Sequence, residues 1–316
     1  MTQEPAQSSA APLLRIGTRG SPLALAQARQ VRAQIAAVQG CDQEEIAIAV
    51  IRTTGDTIQD RPLHEAGGKG LFTKEIEEAL LAKTVDIAVH SAKDLPTFLP
   101  PGLGIAAVLA REDARDVFIS RIARSVRHLP HGAVVGTASP RREALLRRVR
   151  PDLRVVNLRG NVETRLRKLE AREVDATLLA LAGLKRLGLE QHATALLELE
   201  TFVPACGQGV IAIETRLDDP ETLLLLRNIT HYATAIALAT ERAFLAVLDG
   251  SCRTPIAGHA VVTKDNVTFR GLIARQDGSE VHETTREGSA ADAMAMGEDA
   301  AHELKGRAAA DFFVTT

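Results

Sequence analysis

The sequence predicts an α/β protein of two similar lobes with mostly parallel sheets, followed by a small α+β C-terminal domain with an antiparallel sheet. Three observations carry this prediction. Short apolar runs alternate with amphipathic helical runs as far as about Asp218, which is the pattern of βαβ units. The same punctuation occurs twice, as Ile16-Gly17-Thr18-Arg19-Gly20-Ser21-Pro22 and as Val135-Gly136-Thr137-Ala138-Ser139-Pro140, each before a helical run. After Asp218 the texture changes to helices and hairpin-like strands.

The elements follow in order. Residues 13–18 read as a buried strand, and Ser21 with Pro22 supplies an N-cap and a first-turn proline for a helix over 23–38. Residues 45–53 are a second strand. The stretch 54–70 has turn residues and no clear period, the pattern of a mobile loop. Residues 71–83 place Leu71, Ile76, Leu80 and Leu81 on an amphipathic helix, and 85–89 form a third strand. The second copy repeats this with strands at 133–137, 153–157 and 174–179, and Ser139-Pro140 again opens a helix. Residues 111–116 are a charged crossing and a candidate hinge, and strand 210–214 is suited to return to the first lobe. Helices are then expected over 220–230 and 233–248. Strands follow at 258–262, 267–274 and 280–285, joined by Asp-Asn and Asp-Gly turns, before a last helix over 290–307.

A chain of 316 residues is long enough for two or three domains. A hydrophobic content of 45% and a charged content of 25% are those of a globular protein. The net charge of -2 gives no global field toward nucleic acid or membrane. Three cysteines without C-x-x-C spacing argue against a disulfide framework or a metal site and fit a reducing cytoplasm. Residues 1–12 are polar and lack a signal-peptide pattern, so a disordered tail is expected. No apolar run approaches the ~18 residues of a membrane span.

The copies differ where loops leave the strands. Lys93 and Asp94 face Ala182 and Gly183 of the second copy, and Arg141 and Arg142 face Leu23 and Ala24 of the first. That contrast suggests a cleft with a carboxylate on one lip and guanidinium groups on the other. Ligands gather at the carboxyl ends of strands in open α/β sheets, and helix N-termini there favour anions. Arg141 and Arg142 sit in a first helical turn, where a cation opposes the dipole, so an anion is expected beside them. Arg159 and Arg165 read the same way, while Arg147, Arg148, Arg167 and Arg172 equally suit a solvated face. Lys93-Asp94 reads evenly as a solvated pair or as a site for proton transfer and charge stabilisation. Gly67-Gly68-Lys69-Gly70 does not match phosphate-loop spacing and is a flexible loop or an anion-contacting lid. Cys252, among turn residues beside Arg253, is a candidate nucleophile or attachment point.

Together these motifs resemble the porphobilinogen deaminase (hydroxymethylbilane synthase) family. The resemblance rests on residues 19–25, 67–72, 90–96, 135–142, 158–165, 182–188, 204–209 and 251–255, so it covers nearly the whole chain after the tail. It implies two periplasmic-binding-protein-like lobes and a third domain bearing a cofactor. The expected division is domain 1 over 13–110 and 210–227, domain 2 over 111–209, and domain 3 over 228–316. The implied activity is that of a transferase in tetrapyrrole (haem) biosynthesis. Such an enzyme deaminates porphobilinogen and joins four molecules into hydroxymethylbilane, releasing ammonia, on a dipyrromethane cofactor held by Cys252 through a thioether. The resemblance makes Asp94 the catalytic carboxylate. It places Lys93, Ser139, Arg141, Arg142, Arg165 and Gln208 against the cofactor, with Asp94 also touching it. Arg19, Ser21, Arg159, Arg186, Lys69 and Phe72 would face the substrate. A cytoplasmic monomer without nucleic-acid or membrane partners is implied. Pro140, Ala138, Cys206 and Arg253 depart from the residues common in the family, and none carries an expected catalytic role.

Two other classes remain at this point. A two-lobed solute-binding module explains the duplication and the arginines but not the turn cysteine of the third domain. A nucleic-acid binder using residues 141–172 lacks stacking platforms, since aromatics are 3% and tryptophan is absent.

Overall fold

The computed structural model describes residues 12–57, 70–248, 255–309 and 312. The expected tail, most of the 54–70 loop, Lys69 and Cys252 lie outside the described residues.

Two five-stranded sheets share one topology. The first uses β1 (Leu14–Thr18), β2 (Ile46–Val50), β3 (Ile87–Ser91), β4 (Leu103–Val108) and β10 (Ile211–Arg216), in the order β2-β1-β3-β10-β4. The second uses β5 (Asp116–Ser120), β6 (Val134–Gly136), β7 (Arg154–Val156), β8 (Ala176–Ala180) and β9 (Ala195–Leu196), in the order β7-β6-β8-β5-β9. In each, the strand between the third and the edge arrives from the other lobe. It must therefore run antiparallel: β10 against β3 and β4, and β5 against β8 and β9. The expected mostly parallel sheets are thus mixed, parallel on the β1 and β6 sides only. The return of the strand after residue 210 agrees with expectation. Strands β4 and β5 were not expected from the sequence, and Asp116 begins a strand rather than ending a loop.

The repeated residues do the same local work twice. Ser21 Oγ accepts from the Ala24 N–H at 3.3 Å at the start of α1 (Pro22–Gln39), and Gly40 ends that helix in the left-handed region at φ 66°. Thr54–Thr57 forms one helical turn, α2, and α3 spans Lys74–Leu81, shorter at both ends than expected. Ser139 Oγ accepts from Arg142 N–H at 3.4 Å to open α4 (Pro140–Val149). Asp86 and Asp175, each after a valine, accept the backbone N–H of Arg15 and Val134 at 2.8 Å, locking β1 and β6 to the turns before β3 and β8. The second lobe adds α5 (Val162–Glu170) and α6 (Leu181–Arg186).

Beyond α7 (Pro220–Arg227), α8 (Tyr232–Val247) and α9 (Ala293–Arg307) cover an antiparallel sheet of β11 (Ile256–Thr263), β12 (Asn266–Ala274) and β13 (Val281–Ser289). Phe244 and Phe269 meet edge to face at 5.1 Å in its core. Gly297 lets α9 approach α8 closely, since a Cβ there would stand 2.2 Å from the Thr240 carbonyl oxygen. The other side of this domain is shared. Ala257, Leu272 and Ala274 enter the second lobe's core with Phe118, Val135 and Leu145, while Leu238 packs with Ala92, Val108 and Ala212 of the first. The third domain therefore braces both lobes.

Candidate functional site

The site begins where β3 runs out into a 3₁₀ turn over Ala92–Asp94. Several contacts fasten this end. Ser91 and the Gln27 side chain exchange hydrogen bonds of 2.8 and 3.1 Å, and Ala92 N–H donates to the Val210 carbonyl at 3.0 Å. Asp94 then lines a cavity of the first lobe with Arg19, Ser21, Phe72, His90 and Ser91. The Arg19 guanidinium lies 4.2 Å from the centre of the Phe72 ring, a cation–π contact.

A polar chain crosses from this turn to the second lobe. Lys93 Nζ donates to Gln208 Oε1 at 3.3 Å, and Gln208 Nε2 donates to Asp116 Oδ1 at 2.8 Å and to the Ala114 carbonyl at 2.7 Å. Asp116 is fully buried. Arg141 and Arg142 each donate to it at 2.7 Å, with further donations to the carbonyls of Val203 and Leu178. Burial pushes the Asp116 carboxyl up, but the two guanidinium groups overcome this and hold it well below the ordinary carboxylate range.

Arg141 and Arg142 thus meet their first anion inside the protein. The sequence pattern points to a ligand carboxylate there, and it signals Asp116 only as an acid at the head of the apolar run Val117-Phe118-Ile119. Cation still exceeds anion. Burial and then Arg142 lower the Lys93 ammonium to about 8. Burial and then Arg142 also lower Arg165 to about 10, with Asp94 and Arg159 in electrostatic range. Arg165 donates through Nε to the Gly160 carbonyl at 2.9 Å, its one side-chain hydrogen bond among the described residues. The Ser21 and Ser139 hydroxyls serve as helix caps through Oγ, which leaves their O–H able to donate. Arg186 stands by the crossing strand and donates to the Gly209 carbonyl at 2.7 Å; burial lowers it to about 10.

A second buried pair, unforeseen in the sequence, ties the crossings to the third domain. Arg111 donates to Glu241 at 2.5 Å and to the Gln208 carbonyl at 2.8 Å. Glu241 also accepts from the backbone N–H groups of Gly207 and Ala260, at 2.6 and 2.8 Å. The lobe junction is therefore built from satisfied charges, while Lys93 and Arg165 are held in a surplus-positive pocket beside Asp94.

Fold and site together define a two-lobed protein with buried basic side chains gathered beside one carboxylate. The family model described as "Porphobilinogen deaminase, dipyromethane cofactor binding domain" matches residues 14–223, and the one described as "Porphobilinogen deaminase, C-terminal domain" matches 235–306. The chain is 62% identical to porphobilinogen deaminase of Nitrobacter winogradskyi and 60% identical to that of Nitrobacter hamburgensis, over 95% of this chain and of each relative. The chain belongs to the porphobilinogen deaminase family. Among solved structures it is distantly similar to a periplasmic substrate-binding protein of an ABC transporter from Coxiella burnetii, at 15% identity and a TM-score of 0.43 over 73% of this chain and 97% of that one. No helix among the described residues is long and apolar enough to cross a membrane.

Proposed function

We propose that this chain is the transferase that deaminates porphobilinogen and joins four molecules head to tail into hydroxymethylbilane, releasing ammonia, on a dipyrromethane group attached to Cys252. The observation that carries the reading is the crowding of Lys93, Arg142 and Arg165 around Asp94 between the lobes. Burial and mutual repulsion depress Lys93 and Arg165, so bound carboxylates would relieve a standing cost. Both porphobilinogen and a dipyrromethane derived from it carry such carboxylates, and the residues present fit that group. When bound, the dipyrromethane supplies the pyrrole carbon to which the substrate is joined.

The protein's own residues divide the rest. Lys93, Arg142 and Arg165 hold cofactor carboxylates, with Ser139, Arg141 and Gln208 supporting them. Each charge-assisted hydrogen bond contributes about 1.5–3 kcal/mol. Arg19, Ser21, Arg159 and Arg186, with Lys69 and Phe72, receive the incoming substrate. Asp94 accepts pyrrole N–H bonds and stabilises the positive charge left on the substrate as ammonia departs. We further infer a cytoplasmic monomer, the compartment on the cysteines without pairing pattern and the monomer on the family resemblance.

Intact mass tests the attachment. The purified protein is expected to exceed its sequence mass by two condensed pyrrole units, and Cys252→Ser to lack them. An unmodified, fully active protein would overturn the assignment.

A further inference from the structure

The duplication offers an internal control for a cluster that the chemistry above does not use. Lys83 and Arg172 precede Val85-Asp86 and Val174-Asp175 and share a left-handed backbone, at φ 59° and 60°. In that register Glu77 of α3 corresponds to Leu166, and His90 of β3 to Leu179. Through the crossing strands, Glu214 of β10 corresponds to Ile119, because Glu214 pairs with Ala88 and Ile119 with Thr177. In the second lobe all three positions belong to one buried apolar cluster. In the first lobe the same positions hold two carboxylates and an imidazole, exposed by only 6%, 0% and 6% for Glu77, Glu214 and His90.

The cost of this arrangement is visible. Glu77 Oε1 and both Glu214 oxygens are buried without a hydrogen-bond partner among the described residues, and His90 Nε2 faces Glu214 at 3.2 Å without hydrogen-bond geometry. Buried charge is expensive, and apolar replacement of such a set is often neutral or stabilising. The second lobe shows that the fold accommodates that replacement. The polar set stands only in the copy that carries Asp94, and its position is specific. The His90 side chain borders the same cavity as Asp94, Arg19 and Phe72. Glu77 lies on α3, the helix that follows Phe72 in the chain.

We propose that Glu77, His90 and Glu214 form a positioning triad that seats α3, and with it Phe72 and Arg19, against the strand end that carries Asp94. This rests on the reading of the cavity as the porphobilinogen site. The triad gathers two carboxyl groups and one imidazole in a buried site, where a proton held on Glu77 avoids burying a further charge. Burial, helped by Glu214 and Glu78 and opposed by the Thr73 hydroxyl and then His90, raises the Glu77 carboxyl above its ordinary range. Arg242 of α8 lies in electrostatic range of Glu214 and donates to the Pro96 and Thr97 carbonyls. Loss of the Glu77 proton would leave a charge on a buried oxygen that has no hydrogen-bond partner among the described residues, and would loosen α3. Because its carboxyl is raised, the contribution of Glu77 is complete at low pH and is lost as pH rises through the raised value.

The test uses the cofactor-loaded enzyme. For the wild type, KM for porphobilinogen is expected to rise and thermal stability to fall as pH rises through the raised Glu77 value. Glu77→Gln, which keeps the neutral shape, is expected to flatten both trends. Glu77→Leu, His90→Leu and Glu214→Ile together give the first lobe the residues of the second. That variant is expected to fold at least as stably and to keep its cofactor mass. Its KM is expected to rise about tenfold with kcat within about threefold of wild type. An unchanged KM in the triple variant, with Glu77→Gln trends that superpose on wild type, overturns the proposal. If the triple variant does not fold, the Glu77→Gln trends decide. A wild-type protein that does not turn over porphobilinogen would overturn the functional reading instead, and the stability trend still tests the triad.

Discussion

The two lobes are the same scaffold carrying different contents. Ser21-Pro22 and Ser139-Pro140 open equivalent helices, and Asp86 and Asp175 tie equivalent strands. Identity between the copies marks structural work. The differences mark everything else. At the head of the crossing strand the first lobe has Ile211 and the second Asp116. After the serine-proline turn the first has Leu23-Ala24 and the second Arg141-Arg142. After the third strand the first has Lys93-Asp94 and the second Ala182-Gly183. These substitutions travel together: Asp116 appears with the two arginines that donate to it, and the apolar set appears without them.

The largest effect is expected from breaking one such set. Asp116→Ala leaves two buried guanidinium groups unpaired and should cost about 3–5 kcal/mol in urea unfolding. Converting the whole set to first-lobe residues, with Arg141→Leu, Arg142→Ala and Asp116→Ile together, should recover most of that loss. A triple variant no more stable than Asp116→Ala would break the equivalence of the lobes. Since the Asp116 carboxyl is depressed, its stabilisation stands above the ordinary 3.8 and is lost as pH falls below it.

Lys93 sharpens the contrast in the opposite direction. Burial and Arg142 lower its ammonium from 10.5 to about 8, so its charge destabilises the cofactor-free protein. In a Cys252→Ser background, Lys93→Met should melt higher than Lys93. The gap should be full below pH 8 and should close as pH rises toward 10.5. A constant gap across that window would show that Lys93 titrates normally. The smallest effect is shared: Ser21→Ala and Ser139→Ala should each cost about 1 kcal/mol of stability through the lost cap. Unequal losses by denaturant titration would show that one serine does more structural work than its counterpart.

Much of this was legible in the sequence because it is local. Caps, turn glycines and alternating strands announce themselves over a few residues, as do the Lys93-Asp94 and Arg141-Arg142 contrasts. What stayed hidden depends on strands that cross between lobes. Asp116, Arg111, Glu214 and Glu241 each find their partners far along the chain, and no periodicity reports such contacts. The mixed sheets escaped for the same reason, since β5 and β10 enter from the other lobe. The expectation that Arg141 and Arg142 need an anion was sound chemistry, and the protein itself provides the first one.

The most direct measurement is turnover of porphobilinogen by Asp94→Ala, with fold checked by thermal unfolding and cofactor content by intact mass. A folded, cofactor-loaded protein with kcat lowered by about 10³-fold is expected, the scale of losing one preorganised charge at a reacting centre. Turnover within a few-fold of wild type would contradict the assignment of the chemistry to the lobe that carries Asp94.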